Sequence, residues 1–203
     1  MKSLSTLFII ILILITGCQK RQRSDTPIIE GRNIISRHGM VVSAHPEASR
    51  IGAAVLRKGG NAVDAAVATG FALAVCYPEA GNIGGGGFMV IRNNDGTADV
   101  IDYREKAPSG ASREMYLSPD GNTIAGLSTE THLAAGVPGS VDGMIKVHSR
   151  YGKLRFRKII QPAINLANYG FPVTSGQAAS LNRNRELFIS KNDVRPAFIR
   201  DSL

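Results

Sequence analysis

The sequence predicts a mixed α/β (α+β) fold on three observations. Two helical segments stand back to back over residues 46–75, a strand–turn–strand pattern follows at 88–103, and two amphipathic helices occupy 140–151 and 157–168. The composition fits a folded chain: of 203 residues 43% are hydrophobic, with 22 Gly, 9 Pro, two Cys and no Trp. That apolar fraction excludes a disordered tail and a collagen-like repeat, and two cysteines do not make a disulfide scaffold. The length suits one domain or slightly more.

The amino-terminal segment differs from the rest. MKSLSTLFIIILILITGC carries one lysine, an unbroken apolar run from Leu7 to Ile15, then small residues and Cys18. This is the layout of a secretory signal peptide over residues 1–17, with an apolar core about half the ~20 residues that a spanning helix needs. Its end, Ile15-Thr16-Gly17-Cys18, resembles a bacterial lipoprotein box. The resemblance implies that Cys18 is lipidated and anchors the chain to the bacterial cell envelope from the periplasm; Gln19 is the outer-membrane type of neighbour. Several acyl chains hold a bilayer stably where one does so only marginally.

Residues 19–35 are mainly polar, contain Pro27 and lack periodicity, so 18–38 reads as the lipidated cysteine plus a flexible tether. The charge balance is 24 Lys+Arg against 16 Asp+Glu, formally +8, and cleavage before Cys18 removes only Lys2, leaving 23 − 16 = +7. Lys20, Arg21 and Arg23 follow the lipid site directly, where anionic headgroups attract each by about 1 kcal/mol. No basic cluster is interleaved with aromatics and no helix-turn-helix or RNP-like string occurs, so nucleic acid is not an expected partner.

The body spans 39–203. Met40-Val41-Val42 is a short β-prone run, and His45-Pro46 opens a helix with an apolar stripe of Ala48, Ile51, Val55 and Leu56 that Gly59-Gly60 closes. Asn61 and Asp64 form a capping-box pair for a helix through Val75, so rich in small and apolar residues that it must be buried. After Pro78 comes GNIGGGGF. A Walker loop would end in Gly-Lys-Ser/Thr before a helix, and a dinucleotide loop would follow a strand with G-x-G-x-x-G spacing; neither is met. The glycines Gly84 to Gly87 instead read as permissive dihedrals that let the chain enter a tightly packed sheet. The sheet is a hairpin, Phe88–Ile91 and Ala98–Tyr103, turning at Asn93-Asn94-Asp95-Gly96. Gly136-Val137-Pro138-Gly139 precedes the helix at Ser140–Tyr151, and Gly170 closes the next.

Several chemistries are missing. His38, His45, His132 and His148 have no zinc spacing, so neither a metal nor an organic cofactor is implied. There is no G-x-S-x-G elbow, Ser140 reads as a helix-start residue, and Cys76 at the end of an apolar helix reads as an inert core thiol. In Asp102-Tyr103-Arg104-Glu105-Lys106-Ala107-Pro108, Arg104 stands at a strand end. By residue type alone it is either a solvated side chain or a planar fork for a carboxylate.

The ordered strings GMVVSAHPEAS, LRKGGNAVDAAVATGFALAVCYPEAGNIGGGGFMVI, IDYREKAP, HLAAGVPGSVDGM and YGKLRFRKIIQPAINLANYGFPV closely resemble the amino-terminal half of the large subunit of γ-glutamyltranspeptidases, or glutathione hydrolases, from about Gly39 to about Val173. The resemblance implies an N-terminal-nucleophile hydrolase with a four-layer αββα sandwich, incomplete in this chain. Such enzymes are made as inactive precursors that cut themselves into a large and a small subunit. The new amino-terminal threonine attacks a γ-glutamyl carbonyl, and water or an amino-acid or peptide acceptor releases the acyl group. Glutathione and other γ-glutamyl compounds are the implied donors.

One residue of the family's substrate site falls on this stretch, the arginine of R-E-x-A-P, here Arg104, which holds the donor's α-carboxylate; a bidentate guanidinium suits that group better than Lys. Asp102 and Glu105 are read as partners that orient the loop. The chain departs from the family by ending at Leu203, ahead of the threonine, the residues gripping the donor amine and the oxyanion-hole glycines. A fragment inactive by itself is therefore expected. The alternatives are a cephalosporin or glutaryl acylase of the same superfamily and a non-catalytic lipoprotein that keeps the front half for binding.

Overall fold

In the computed structural model, which describes residues 28–30 and 33–191, the Gly59-Gly60-Asn61 junction sets the geometry of the helical layer. Helix α1 (Pro46–Arg57) starts where His45 Nδ1 accepts the Glu47 N–H at 3.2 Å, with Pro46 at the first helical position. It ends in a left-handed Gly59 (φ +86°), with the Gly59 N–H donating to the Leu56 carbonyl and the Gly60 N–H reaching back to that of Val55 at 3.1 Å. These two bonds satisfy carbonyls that a helix end leaves orphaned. Helix α2 (Ala62–Cys76) then opens with the reciprocal box expected from sequence: Asp64 N–H to Asn61 Oδ1 at 2.9 Å and Asn61 N–H to Asp64 Oδ2 at 3.0 Å.

Helix α2 is the centre of the core. Val63, Ala65, Val67, Ala68, Phe71, Ala72 and Cys76 are all buried, as its apolar circumference requires. It packs against α1, against α3 (Ser140–Tyr151) and against α4 (Phe156–Tyr169). The α1–α2 crossing is close because α1 presents Gly52, where a Cβ would lie 2.3 Å from Thr69 Oγ1. Phe71 and Phe156 meet edge to face at 5.9 Å, joining α2 to α4. Helix α4 runs through Pro162, which lacks the N–H that would reach the Lys158 carbonyl; burial of Ile159 and Ala163 on either side holds the helix across this break.

Asp64 does more than cap. Its carboxylate is fully buried and accepts the backbone N–H groups of Lys153 and Leu154 at 3.0–3.3 Å, with His148 Nε2 also 3.3 Å away. Asn61 Nδ2 donates to the Tyr151 carbonyl at 2.6 Å. The α1–α2 turn and the α3–α4 loop are thus tied by hydrogen bonds to one buried charge.

The hairpin of β3 (Phe88–Arg92) and β4 (Ala98–Asp102) is antiparallel, with Met89 opposite Ile101 and Val90 opposite Val100. Met89, Ile91 and Ile101 face the helices, whereas Phe88, Val90 and Val100 point outward, 58%, 75% and 61% exposed. Helix α3 lies against β4. One α layer over two strands is consistent with part of the four-layer sandwich that the resemblance implies.

Three features differ from the sequence reading. Within the segment read as tether, β1 (Ile28–Glu30) and β2 (Asn33–Ile35) pair antiparallel, two triplets too short to show a period. The chain divides into units at Met1–His38 and Gly39–Leu203. After Val173 two unforeseen helices appear, α5 (Ser175–Arg183) and α6 (Arg185–Ser190). Thr174 and Gln177 make a capping box for α5, a signal present in the sequence but followed by no strong apolar period. And none of Gly84–Gly87 has a positive φ, so the dihedral reason for these glycines is wrong; at Gly86 the reason is close packing against Arg104 and Glu105, as described next. Cys18 and the leader 1–17 lie outside the described residues.

Candidate functional site

Three segments meet at the carboxyl end of β4: the glycine loop 84–87, residues 103–106, and 136–140. Gly85 offers its carbonyl to the N–H groups of Gly139 and Ser140, both at 2.9 Å, and Lys106 and Val137 exchange backbone hydrogen bonds at 3.1 and 2.8 Å. Space here is so tight that only hydrogen fits. A Cβ on Gly86 would lie 2.7 Å from Arg104 Cα and from Glu105 N, one on Gly139 would lie 2.1 Å from the Tyr103 carbonyl oxygen, and one on Gly143 2.2 Å from the Tyr103 ring. Glycine serves here by close approach of backbones.

Arg104 emerges from this frame onto the outward face of the hairpin. Its N–H donates to Asp102 Oδ1 at 2.9 Å, so Asp102 fixes the backbone of Arg104 and leaves the guanidinium unpaired; among the described residues no carboxylate forms an ion pair with it. The guanidinium carbon lies 5.6 Å from the centroid of the Phe88 ring, within cation–π range. A planar cation resting on an aromatic face, with no carboxylate paired to it among the described residues, is positioned for an external anion. Tyr103, alternating to the inner face, is half-buried between the sheet and α3, and burial pushes its phenol pKa up. Glu105 turns toward the glycine loop and Gly136.

The structure thus brings Asp102, Arg104 and the GGGG run together. It adds Phe88 and the Pro138-Gly139 turn, which sequence reasoning did not attach to the site. Their signal was present, a glycine immediately before a helix and an aromatic heading a strand, but their proximity to Arg104 depends on strand register. Ser140 is the first residue of α3, buried, with its N–H on Gly85. Cys76 is buried and burial pushes its thiol pKa up, the environment of an unreactive thiol. Among the described residues no group of three or more His, Cys, Asp or Glu is placed to hold a metal ion.

Comparison with known proteins locates this frame. The sequence profile of γ-glutamyltranspeptidase matches residues 48–202. A glutathione hydrolase proenzyme of Pseudomonas sp. (strain A14) is 53% identical over 146 residues, 72% of this chain and 25% of that protein, and the Escherichia coli (strain K12) glutathione hydrolase proenzyme is 47% identical over the same shares. The chain therefore spans about a quarter of the length of these relatives. Among solved structures, the Helicobacter pylori γ-glutamyltranspeptidase superposes with a TM-score of 0.74 at 48% identity, covering 80% of this chain and 45% of that one. A cephalosporin acylase from Bacillus halodurans gives 0.69 at 27% identity, covering 84% and 32%. The glycine-rich loop, the β3–β4 hairpin and Arg104 all fall within the matched residues, and the chain belongs to the γ-glutamyltranspeptidase family, with part of its N-terminal-nucleophile hydrolase fold.

Proposed function

We propose that this chain is the amino-terminal part of a self-cleaving γ-glutamyltransferase and glutathione hydrolase, and that Arg104 holds the α-carboxylate of the γ-glutamyl donor. The observation that carries this reading is the Arg104 guanidinium itself: backbone pinned through Asp102, charge without an ion-pair partner among the described residues, ring of Phe88 beneath it. A free α-carboxylate distinguishes a γ-linked glutamyl group from an α-linked one, and a guanidinium fork reads it through two parallel hydrogen bonds. The chemistry falls to a threonine beyond Leu203. Its hydroxyl attacks the γ-carbonyl, the amine of the donor leaves with a proton, and water or the amine of an amino acid or peptide cleaves the resulting ester. The small subunit cut from the same precursor would supply that threonine.

The test is donor kinetics of the complete enzyme. Arg104→Ala should raise the KM for a γ-glutamyl anilide by about 10- to 100-fold, the scale of a lost charge-assisted pair, and leave self-cleavage intact; an unchanged KM sinks the assignment. Comparing γ-glutamyl anilide with glutaryl-cephalosporin separates the acylase alternative, which the lower identity to the Bacillus halodurans enzyme disfavours. We further propose a lipid anchor at Cys18 and a periplasmic location at the outer membrane, supported by the leader and the Ile15-Thr16-Gly17-Cys18 sequence. Intact mass of the native product decides both points: two co-purifying fragments, the lighter beginning with Thr and the heavier carrying acyl mass on Cys18, support them. A single unmodified species ending at Leu203 removes the enzyme and the anchor together.

A further inference from the structure

The face made by the carboxyl end of α1, the 152–155 loop and the first turn of α4 has two properties that rarely coincide. The first is a groove of about 680 Å3 between α1 and α4, with Ile51, Val55, Leu154 and Pro162 in its apolar lining and Lys58 and Lys158 among its polar residues. The second is charge. Arg57, Lys58, Lys153, Arg155, Arg157 and Lys158 are all exposed, and none forms an ion pair among the described residues. The sequence contains no Asp or Glu between Glu47 and Asp64, and none between Asp142 and Glu186.

The nearest carboxylate, Asp64, is fully buried and occupied by the backbone N–H groups of Lys153 and Leu154. Those bonds pull the loop backbone inward while the Lys153 side chain stays exposed. Leu154 Cδ1 would lie 3.1 Å from a Cβ on Gly60, so the loop is seated against the turn that follows Arg57 and Lys58. Two cationic segments distant in sequence are held side by side by a buried anion, with an apolar groove beside them.

We propose that this face is a docking surface for an anionic phospholipid membrane, the cations meeting headgroups and the groove receiving the apolar part of a lipid. An acidic polypeptide would satisfy the charges but has no need of hydrocarbon-lined space next to them. Phospholipid supplies both, and each Lys or Arg at such a surface adds attraction that falls off within a Debye length. The segment after Cys18, outside the described residues, carries three more cations in sequence, Lys20, Arg21 and Arg23. The inference is independent of the γ-glutamyl reading, and of lipidation at Cys18, because the comparison below is between two vesicle compositions that an anchor would enter alike.

The experiment is amide hydrogen exchange of the full chain with phosphatidylcholine vesicles and with mixed phosphatidylcholine–phosphatidylglycerol vesicles. Amides of 58–61 and of 153–159 should slow several-fold only on the mixed vesicles, and raised salt should abolish the difference. The quadruple variant Lys58→Gln, Arg155→Gln, Arg157→Gln, Lys158→Gln should lose the protection while α2 exchanges as before. Equal protection on both vesicle types, protection on neither, persistence in high salt, or protection by soluble polyglutamate or glycerophosphate without vesicles would each overturn the proposal. Should the variant unfold, as exchange in α2 would reveal, the salt and composition arms on the unmodified chain decide the matter.

Discussion

Gly84 and Gly86 stand two residues apart in one run of four, yet the chain uses them differently. A methyl group on Gly84 meets nothing within 4 Å, whereas on Gly86 it would strike the backbone of Arg104 and Glu105 at 2.7 Å. Gly84→Ala should leave stability unchanged or raise it by up to about 1 kcal/mol through the unfolded chain. Gly86→Ala should cost about 2–3 kcal/mol and displace Arg104; urea denaturation of the two variants side by side checks this. Asp64 is a second position where identity matters more than size. Its carboxylate receives the N–H groups of Asn61, Lys153 and Leu154. Asp64→Asn places an amide N–H₂ against donors and should destabilise by about 2–3 kcal/mol, although the side chain is isosteric.

At the level of elements, the α3–β4 contact is closed by a phenol and a carboxylate. Tyr151 donates to Asp99 Oδ2, which Arg150 also meets at 2.8 Å. The hydrogen bond from Tyr151, chiefly, holds the Asp99 carboxyl below its ordinary pKa, and the same bond raises the Tyr151 phenol above its own. The signs follow from linkage. A depressed carboxyl stabilises above its unfolded pKa, and that contribution is lost as pH falls through its folded value. A raised phenol stabilises below its unfolded pKa, and that contribution is lost as pH rises through its folded value. Tyr151→Phe should flatten both the acid and the alkaline limb of a stability–pH profile, leaving the neutral region least altered in shape.

Helix α5 is docked by polar groups instead of an apolar stripe. Gln177 Nε2 donates to the Cys76 carbonyl at 2.6 Å, and Gln177 Oε1 accepts from His45 Nε2 at 3.0 Å. Because His45 Nδ1 already accepts the Glu47 N–H, the ring carries its proton on Nε2. Gln177→Leu would leave a buried carbonyl and a buried ring N–H without partners, a loss of about 1–3 kcal/mol for each. Hydrogen exchange should then rise across 174–190 before it changes in α2.

For the molecule as a whole, the outstanding feature is the outward face of the hairpin, where Phe88, Val90 and Val100 are mostly exposed. An apolar face of this kind on two strands is unusual for a surface and normal for the interior of a β sandwich. In the four-layer family fold a hairpin between a helical layer and a second sheet has such a face, and Arg104 and Phe88 lie on it. The chain alone should bind a hydrophobic dye such as ANS. Val90→Lys with Val100→Glu, an opposite-charge pair across the hairpin, should reduce that binding and increase solubility without lowering stability; unchanged dye binding would place the exposed apolar surface elsewhere.

Local chemistry made much of this readable in advance. The Asn61–Asp64 box, the Gly59-Gly60 stop, the apolar girth of α2 and the turn at Asn93–Gly96 are decided within a few residues, because caps and turns are satisfied by neighbours in sequence. The motif strings identified the family, and with it the expectation at Arg104. The sequence could not disclose what depends on distant segments sharing space: why Gly86 and Gly139 must be glycine, which aromatic ring lies under Arg104, or that Asp64 binds a loop some ninety residues later. Helix α5 escaped notice because Gln177 holds it through hydrogen bonds that leave no periodic trace, and β1–β2 because a triplet is too short to establish an alternation. Local hydrogen bonding and periodicity are written along the chain; close approach and long-range pairing exist only once it has folded.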